Sequence, residues 1–256
     1  MRVSVYVDGF NLYYGALKGT PFKWLNPLLL SWQFLPATHT IDKVKYFTAR
    51  VSGAVDPGEP VRQQIYFDAL RTVPEIELHF GRFLPKNMWR PVTNFPVAGA
   101  TIHSPVAVSL PAGVHVIDGG SLTNSAQLAV GTYAVPGSGK RRTITPQSDA
   151  LVAQVHNMEE KGSDVNLASH LLNDAWKNNF DQAVVISNDT DLVEPIRMVM
   201  VERSKPVVVV CPGKWQMAPQ LRAVASFKVH IHRAMLAASQ FPSPIPATAI
   251  TKPATW

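Results

Sequence analysis

The chain holds one cysteine, Cys211, which excludes an internal disulfide, and no Cys/His cluster has the spacing of a structural zinc site. That usage points to a reducing compartment, and the cytoplasm is the expected location. No run of about 18 apolar residues occurs, and the opening MRVSVYVDGF has no long apolar stretch before a small-residue cleavage site. Neither membrane spanning nor secretion is indicated, so no membrane partner is expected. Acidic residues are scarce as well: 18 Asp and Glu stand against 24 Lys and Arg, for a net charge of +6. A basic excess favours a polyanionic partner, although by itself it is a weak argument for nucleic acid. With few acids in the chain, the places where they gather become informative. What is plentiful is apolar: 46% hydrophobic residues in 256 suit one globular domain with an insertion, or two small ones.

Short β-branched runs alternate with helical patterns. Val3 to Val7 (VSVYV) reads as a strand ending at Asp8-Gly9, and Asn11 to Leu17 follows with helical spacing. Asn26-Pro27 places a capping residue before a first-turn proline, which predicts a helix to about Leu35. Val44 to Val51 reads as a strand, Pro60 to Thr72 as a helix and Ile76 to Leu84 as a strand again. Further along, Ser163 is the expected cap of a helix carrying Leu167, Ala168, Leu171, Leu172 and Ala175 at helical spacing. Strands follow at Val184 to Ser187, Val207 to Val210 and Val229 to Ile231, with a helix over Leu192 to Val201. Strands apolar on both faces and separated by helices predict a doubly wound α/β fold with a mostly parallel sheet covered on both sides.

Between these halves, Pro91 to Pro146 loses helical periodicity and fills with Pro, Gly, Ser, Thr and Val. Valine-rich runs parted by turn residues predict a small β-rich insertion, 91–147, on the sheet's edge. Such an edge offers a surface for homo-oligomer formation. Residues 233–256 are expected to be a helix end and an extended proline-rich tail.

Ligands of parallel α/β sheets collect beyond the carboxyl ends of the strands. Asp8 ends the first strand, and Asp189 and Asp191 follow the strand at Val184 to Ser187 in VVISNDTDL. Asp164 sits in the first turn of the helix after Ser163, and Asn11 lies one turn along the first helix. Carboxylates that close raise one another's pKa unless something positive lies between them. An all-oxygen cage suits Mg²⁺ or Mn²⁺, which polarises a phosphate and activates water. Lys161 stands near to hold a nucleic-acid backbone. Each residue has a plainer explanation taken singly: Asp8-Gly9 as a turn, Asp164 against a helix dipole, Asp191 as an N-cap. Convergence of four acids on one rim of a basic protein favours the cage.

Other motifs carry less. PGSGKRR resembles half a phosphate-binding loop, but Ala134 stands where its first glycine belongs and Arg141 follows Lys140. A basic hairpin tip, with Lys140, Arg141 and Arg142 touching RNA phosphates, is the better reading. His230 and His232 share a strand face without a third ligand, Cys211 reads as packing, and Tyr13 and Tyr14 read as core before base-stacking platforms.

Three blocks, VYVDGFNLYYG (5–15), EKGSDVNLASHLLNDA (160–175) and VVISNDTDLVEPI (184–196), resemble the signature blocks of the NYN domain family, whose fold is similar to that of PIN-domain nucleases. The resemblance covers roughly residues 1–90 and 148–232. It implies a PIN-like catalytic domain over those residues and a metal-dependent ribonuclease, with Asp8, Asp164, Asp189 and Asp191 as catalytic and Mg²⁺- or Mn²⁺-binding residues. Asn11 and Ser187 match the family's polar companions, and RNA is the implied partner. A non-catalytic RNA-binding scaffold is the alternative, and a hydrolase of small phosphate esters a third.

Overall fold

The computed structural model describes residues 1–53, 56–91, 106–109, 114–118, 121–123, 125–128, 150–213 and 216–256, with side chains for 1–53, 56–84, 160–213 and 216–256. It divides into two compact units, Met1–Leu84 with Glu160–Trp256, and Pro85–Glu159.

The first unit is built on β1 (Arg2–Asp8), β2 (Thr40–Thr48) and β3 (Ile76–Phe80), joined by α1 (Gly9–Leu12) with a wider π turn over Tyr13–Leu17, α2 (Pro27–Trp32) and α3 (Glu59–Arg71). After β3, the chain leaves through β4 (Arg82–Pro91). The second unit contains β5 (Val106–Ser109), β6 (Val114–Asp118), β7 (Ser121–Thr123) and β8 (Ser125–Leu128), and the chain returns through β9 (Ala150–Lys161). The first unit then resumes with α4 (Ser163–Trp176), β10 (Gln182–Ile186), a 3₁₀ turn (Thr190–Leu192), α5 (Val193–Glu202), β11 (Val207–Cys211), α6 (Pro219–Val224), β12 (Phe227–His230) and α7 (Arg233–Ala238).

Six strands form one sheet in the order β12-β11-β10-β1-β2-β3, and every pairing is parallel. The α/β doubly wound fold expected from the strand pattern is therefore present. Side-chain alternation divides the sheet between two cores. Val5, Val7, Val184 and Ile186 face Leu12, Leu30, Phe67, Leu70 and Leu236 on one side. Tyr6, Phe47, Val185 and Val209 face Leu167, Leu171, Ile196 and Leu221 on the other. Burying a side chain of this size stabilises by about 1.5–3 kcal/mol, which explains why the central strands read as unbroken apolar runs. From β1 the chain steps outward through β2 and β3, while β10, β11 and β12 step the opposite way. The switch point, where connections diverge and ligands gather, lies between β1 and β10.

On the α4 side, three elements are tied by a buried polar network. The Tyr6 hydroxyl donates to Asp174 Oδ2 at 2.7 Å, Lys45 Nζ donates to the same oxygen at 2.5 Å, and Asn179 Nδ2 donates to Oδ1 at 3.1 Å. Burial alone would push the Asp174 carboxyl up, but the hydrogen bonds from Lys45, Tyr6 and Asn179 outweigh it and hold the carboxyl below its ordinary range.

Three expectations change. The strand read from Ile76 to Leu84 is two strands: β3 pairs with β2 up to the bond from Gly81 N to Thr48 O at 2.7 Å, and β4 belongs to a different sheet. Ser163 is not the cap of α4. Gly162 takes that position at φ +96°, a conformation glycine adopts freely, while Glu160 Oε1 accepts from Ser163 N at 3.1 Å. The proline-rich end is not a free tail: Phe241 and Ile245 are buried in the core, and the Trp256 ring lies 5.6 Å from Trp24 and 5.3 Å from Tyr66. In the second unit, β6 pairs antiparallel with β7 and β9, and β5 with β8. No helix among the described residues is long and apolar enough to cross a membrane.

Candidate active site

Asp8 is placed by the abrupt change from β1 to α1. Its backbone stays extended while its Oδ1 accepts from Asn11 N at 2.9 Å, capping the helix that begins at Gly9. Its other oxygen accepts from the Ser187 hydroxyl at 2.9 Å, across the β1/β10 seam. Ser187 is fully buried, and its Oγ also accepts from Asp189 N at 3.1 Å. Asp189 caps the 3₁₀ turn in turn, its Oδ1 accepting from Asp191 N at 3.0 Å. One serine hydroxyl thus fixes the two aspartates of neighbouring strand tips relative to each other.

The asparagines extend this lattice. Asn11 Oδ1 accepts from Asn188 N at 3.0 Å; Asn188 Oδ1 accepts from Ala218 N at 2.8 Å, and its Nδ2 donates to Gln216 O at 3.2 Å. Asn188 therefore holds the loops beyond β1, β10 and β11 together. The sequence signal for it was slight: it is the residue between the matched Ser187 and Asp189. Asn11 Oδ1 and the buried Ser187 hydroxyl are turned toward the protein.

Electrostatics single out Asp8. It is only 4% exposed, and burial pushes its carboxyl up to about 6; the charges of Asp164 and Asp189 add to the rise, while the hydrogen bonds from Asn11 and Ser187 oppose it. Asp164 is raised too, by burial first and then by Asp189, Glu160 and Asp191. Asp8 thus lies in the field of Asp164 and Asp189, and Asp164 in that of Asp189 and Asp191. Glu160, not singled out in the sequence, joins them. Lys161 is the exposed last residue of β9, three positions before Asp164. Lys140, Arg141 and Arg142 lie outside the described residues.

The donor set suits a hard divalent cation. It consists of carboxylate oxygens, which Mg²⁺ and Mn²⁺ prefer. Asp8 uses one acceptor site on each oxygen and retains others. A buried acid disfavoured as an anion by its neighbours also gains from any added positive charge. Among the described residues, however, no three His, Cys, Asp or Glu side chains stand in position to ligate one ion together.

Among known proteins, the 6-hydroxy-3-succinoylpyridine 3-monooxygenase HspA of Pseudomonas putida is 28% identical over 278 aligned positions, covering all of this chain and 75% of its own. A crystal structure of a Vibrio parahaemolyticus protein of unknown function is similar with a TM-score of 0.46 and 15% identity, covering 91% of this chain and 93% of its own. The NYN domain matches residues 133–232, which hold Asp164, Asp189 and Asp191. The resemblance to the NYN domain is borne out over 133–232, which holds the second and third of the three blocks; the first, 5–15, lies outside the matched residues.

Proposed function

We propose that the protein is a metal-dependent ribonuclease that hydrolyses RNA phosphodiester bonds at the β1/β10 switch point. The observation that carries this reading is the tie of Asp8 to Asp189 through Ser187 at that seam, with Asp164 in the field of Asp189 and Asp191, in a chain of net charge +6. Asp8, Asp164 and Asp189 would hold Mg²⁺ or Mn²⁺, and Asp191, exposed beside them, would complete the set or orient the attacking water. The ion supplies charge neutralisation at the phosphate and a bound water of lowered pKa. Ser187 fixes Asp8 against Asp189, and Asn11 with Asn188 holds the strand-tip loops still, so the acids are pre-positioned at no cost when substrate arrives. In-line attack on the phosphorus would leave a 5′-phosphate and a 3′-hydroxyl.

The test is incubation with labelled single-stranded and structured RNA in Mn²⁺ or Mg²⁺, with EDTA and Asp189→Asn controls. Cleavage that needs both metal and Asp189 is the expected result. Salt-sensitive binding without cleavage in any metal selects the scaffold instead. Hydrolysis of small phosphate esters with indifference to RNA selects the third reading.

A second reading is favoured by the alignment of the whole chain with HspA, whose name is that of a monooxygenase acting on 6-hydroxy-3-succinoylpyridine. Under it the same fold would bind a hydroxylated pyridine. Consumption of that compound by the purified protein, with no RNA cleavage, would select it.

A further inference from the structure

Beside the aspartate site, on the opposite face of the sheet, is a cavity of about 80 Å³ lined by Phe10, Tyr13, Tyr46, Tyr66, Phe67 and Trp256, with Lys23, Glu59 and Gln63 also on its wall. Burial sorts these residues. Gly9, Tyr46, Thr48, Tyr66 and Phe67 are buried and form its floor, whereas Phe10, Tyr13, Lys23, Glu59, Gln63 and Trp256 are half-buried and form its rim.

Internal hydrogen bonds already occupy part of the lining. Tyr66 donates to Leu25 O at 2.8 Å, and Gln63 is held by Val51 N and Ala49 O. Among the described residues Lys23 and Glu59 make neither an ion pair nor a side-chain hydrogen bond, so one cation and one anion remain at the rim.

Backbone continuity joins this cavity to the site. Gly9, in its floor, is the residue after Asp8. A Cβ at Gly9 would lie 2.7 Å from both Phe47 O and Tyr46 Cε1, so the close packing of strand tip and floor depends on glycine there. The Asp8 charge is felt at the Tyr46 hydroxyl through this thin partition.

We propose that the cavity is a subsite for one six-membered nitrogen heteroaromatic ring. A closed cavity of about 150 Å³ holds benzene. One of 80 Å³ that opens to solvent takes such a ring edge first, leaving its polar substituents at the mouth beside Lys23 and Glu59. Aromatic walls suit any π face, while the two charged side chains select for ring oxygens and N–H groups. The inference deepens the ribonuclease reading and rests on it for the source of the ring, which is then the base next to the phosphate at Asp8. A free heterocycle offers the same chemistry.

The experiment is a fluorescence titration of the full chain in EDTA, so that binding is read without turnover, using UMP, uracil, 2-hydroxypyridine and the ring-free ribose 5-phosphate. The ring probes are expected to change the emission of Trp256, with no change from ribose 5-phosphate and none in Trp256→Phe. Tyr13→Ala should weaken UMP at least about tenfold, and Lys23→Ala should weaken UMP and uracil alike. UMP binding tighter than either free ring assigns the subsite to RNA; free rings binding as tightly assign it to a small molecule, and either result supports the subsite. The proposal is overturned if ribose 5-phosphate binds as well as UMP, if no ring probe binds, or if Tyr13→Ala, folded by circular dichroism, binds UMP unchanged. Asp189→Asn should bind uracil like the native chain. Loss of cleavage there therefore leaves the ring subsite standing, and failure of the RNA reading is seen separately.

Discussion

Replacing Asp8 with asparagine is expected to stabilise the metal-free protein at alkaline pH. Asp8 is buried, and its carboxyl rises from the ordinary 3.8 to about 6. The folded protein therefore holds this proton more tightly than the unfolded chain does. The contribution is fully present below pH 3.8 and is lost as pH climbs through about 6, by which point the ionised acid costs the fold about 3 kcal/mol. Asparagine has the shape of the protonated acid and cannot ionise. It keeps the oxygen that accepts from Asn11, but its amide faces the Ser187 hydroxyl, which must reorient, so we expect a gain of about 1–3 kcal/mol at pH 8. In a chain of 256 residues that is a rise of several degrees in melting temperature, at about 2–4 °C per kcal/mol. The assay is chemical denaturation in EDTA at pH 8 and at pH 4, where the gain should shrink below about 1 kcal/mol. Mn²⁺ should then stabilise the native chain more than the variant, because it restores the charge balance that asparagine no longer needs. A variant less stable than the native chain at pH 8, or an advantage equal at both pH values, would refute the reasoning.

Three further outcomes follow from the same contacts. Ser187→Ala removes a donor that lowers the Asp8 pKa, so the acid limb of the pH–rate profile should move to higher pH; a limb that stays in place would separate Ser187 from Asp8. Lys45→Met leaves the buried Asp174 carboxylate without its cation and should cost about 3 kcal/mol in denaturant unfolding, with part of the loss recovered in Lys45→Met/Asp174→Leu. Asn188→Ala breaks the ties to the loop after β11 and should cost about 1–3 kcal/mol, lowering RNA cleavage with KM little changed if the asparagine only positions the acids.

Where a structural property was local, the sequence displayed it. β1, β10 and β11 are buried on both faces, so VSVYV, AVVI and VVVV stand out, and the aspartates at the ends of β1 and β10 mark the rim. Asn26 announces α2 because a cap and a first-turn proline are near-neighbour signals; its Oδ1 accepts from Leu28 N and Leu29 N. Properties made by distant partners were hidden. IELHFGRFL reads as one strand, yet its first half pairs with β2 and its second half joins a different sheet. Lys45 alternates like a solvent-facing residue in VKYFT, yet α4 covers it and brings Asp174 to it. The aromatic cavity draws on residues as far apart as Phe10, Tyr66 and Trp256, a grouping no local period contains.

The split at Gly81 has a meaning for how such a chain can vary. A Cβ at Gly81 would meet Lys161 O at 2.7 Å, so the points where the polypeptide departs from the parallel sheet and rejoins it are immediate neighbours. β3 completes that sheet before the departure, and α4 begins directly after the return. Whatever is spliced between those points leaves the wiring of the aspartate-bearing strands untouched, and doubling its length adds only about 0.6 kcal/mol of closure entropy. The fold thus carries a socket whose contents can be exchanged, lengthened or trimmed without rewiring β1 and β10.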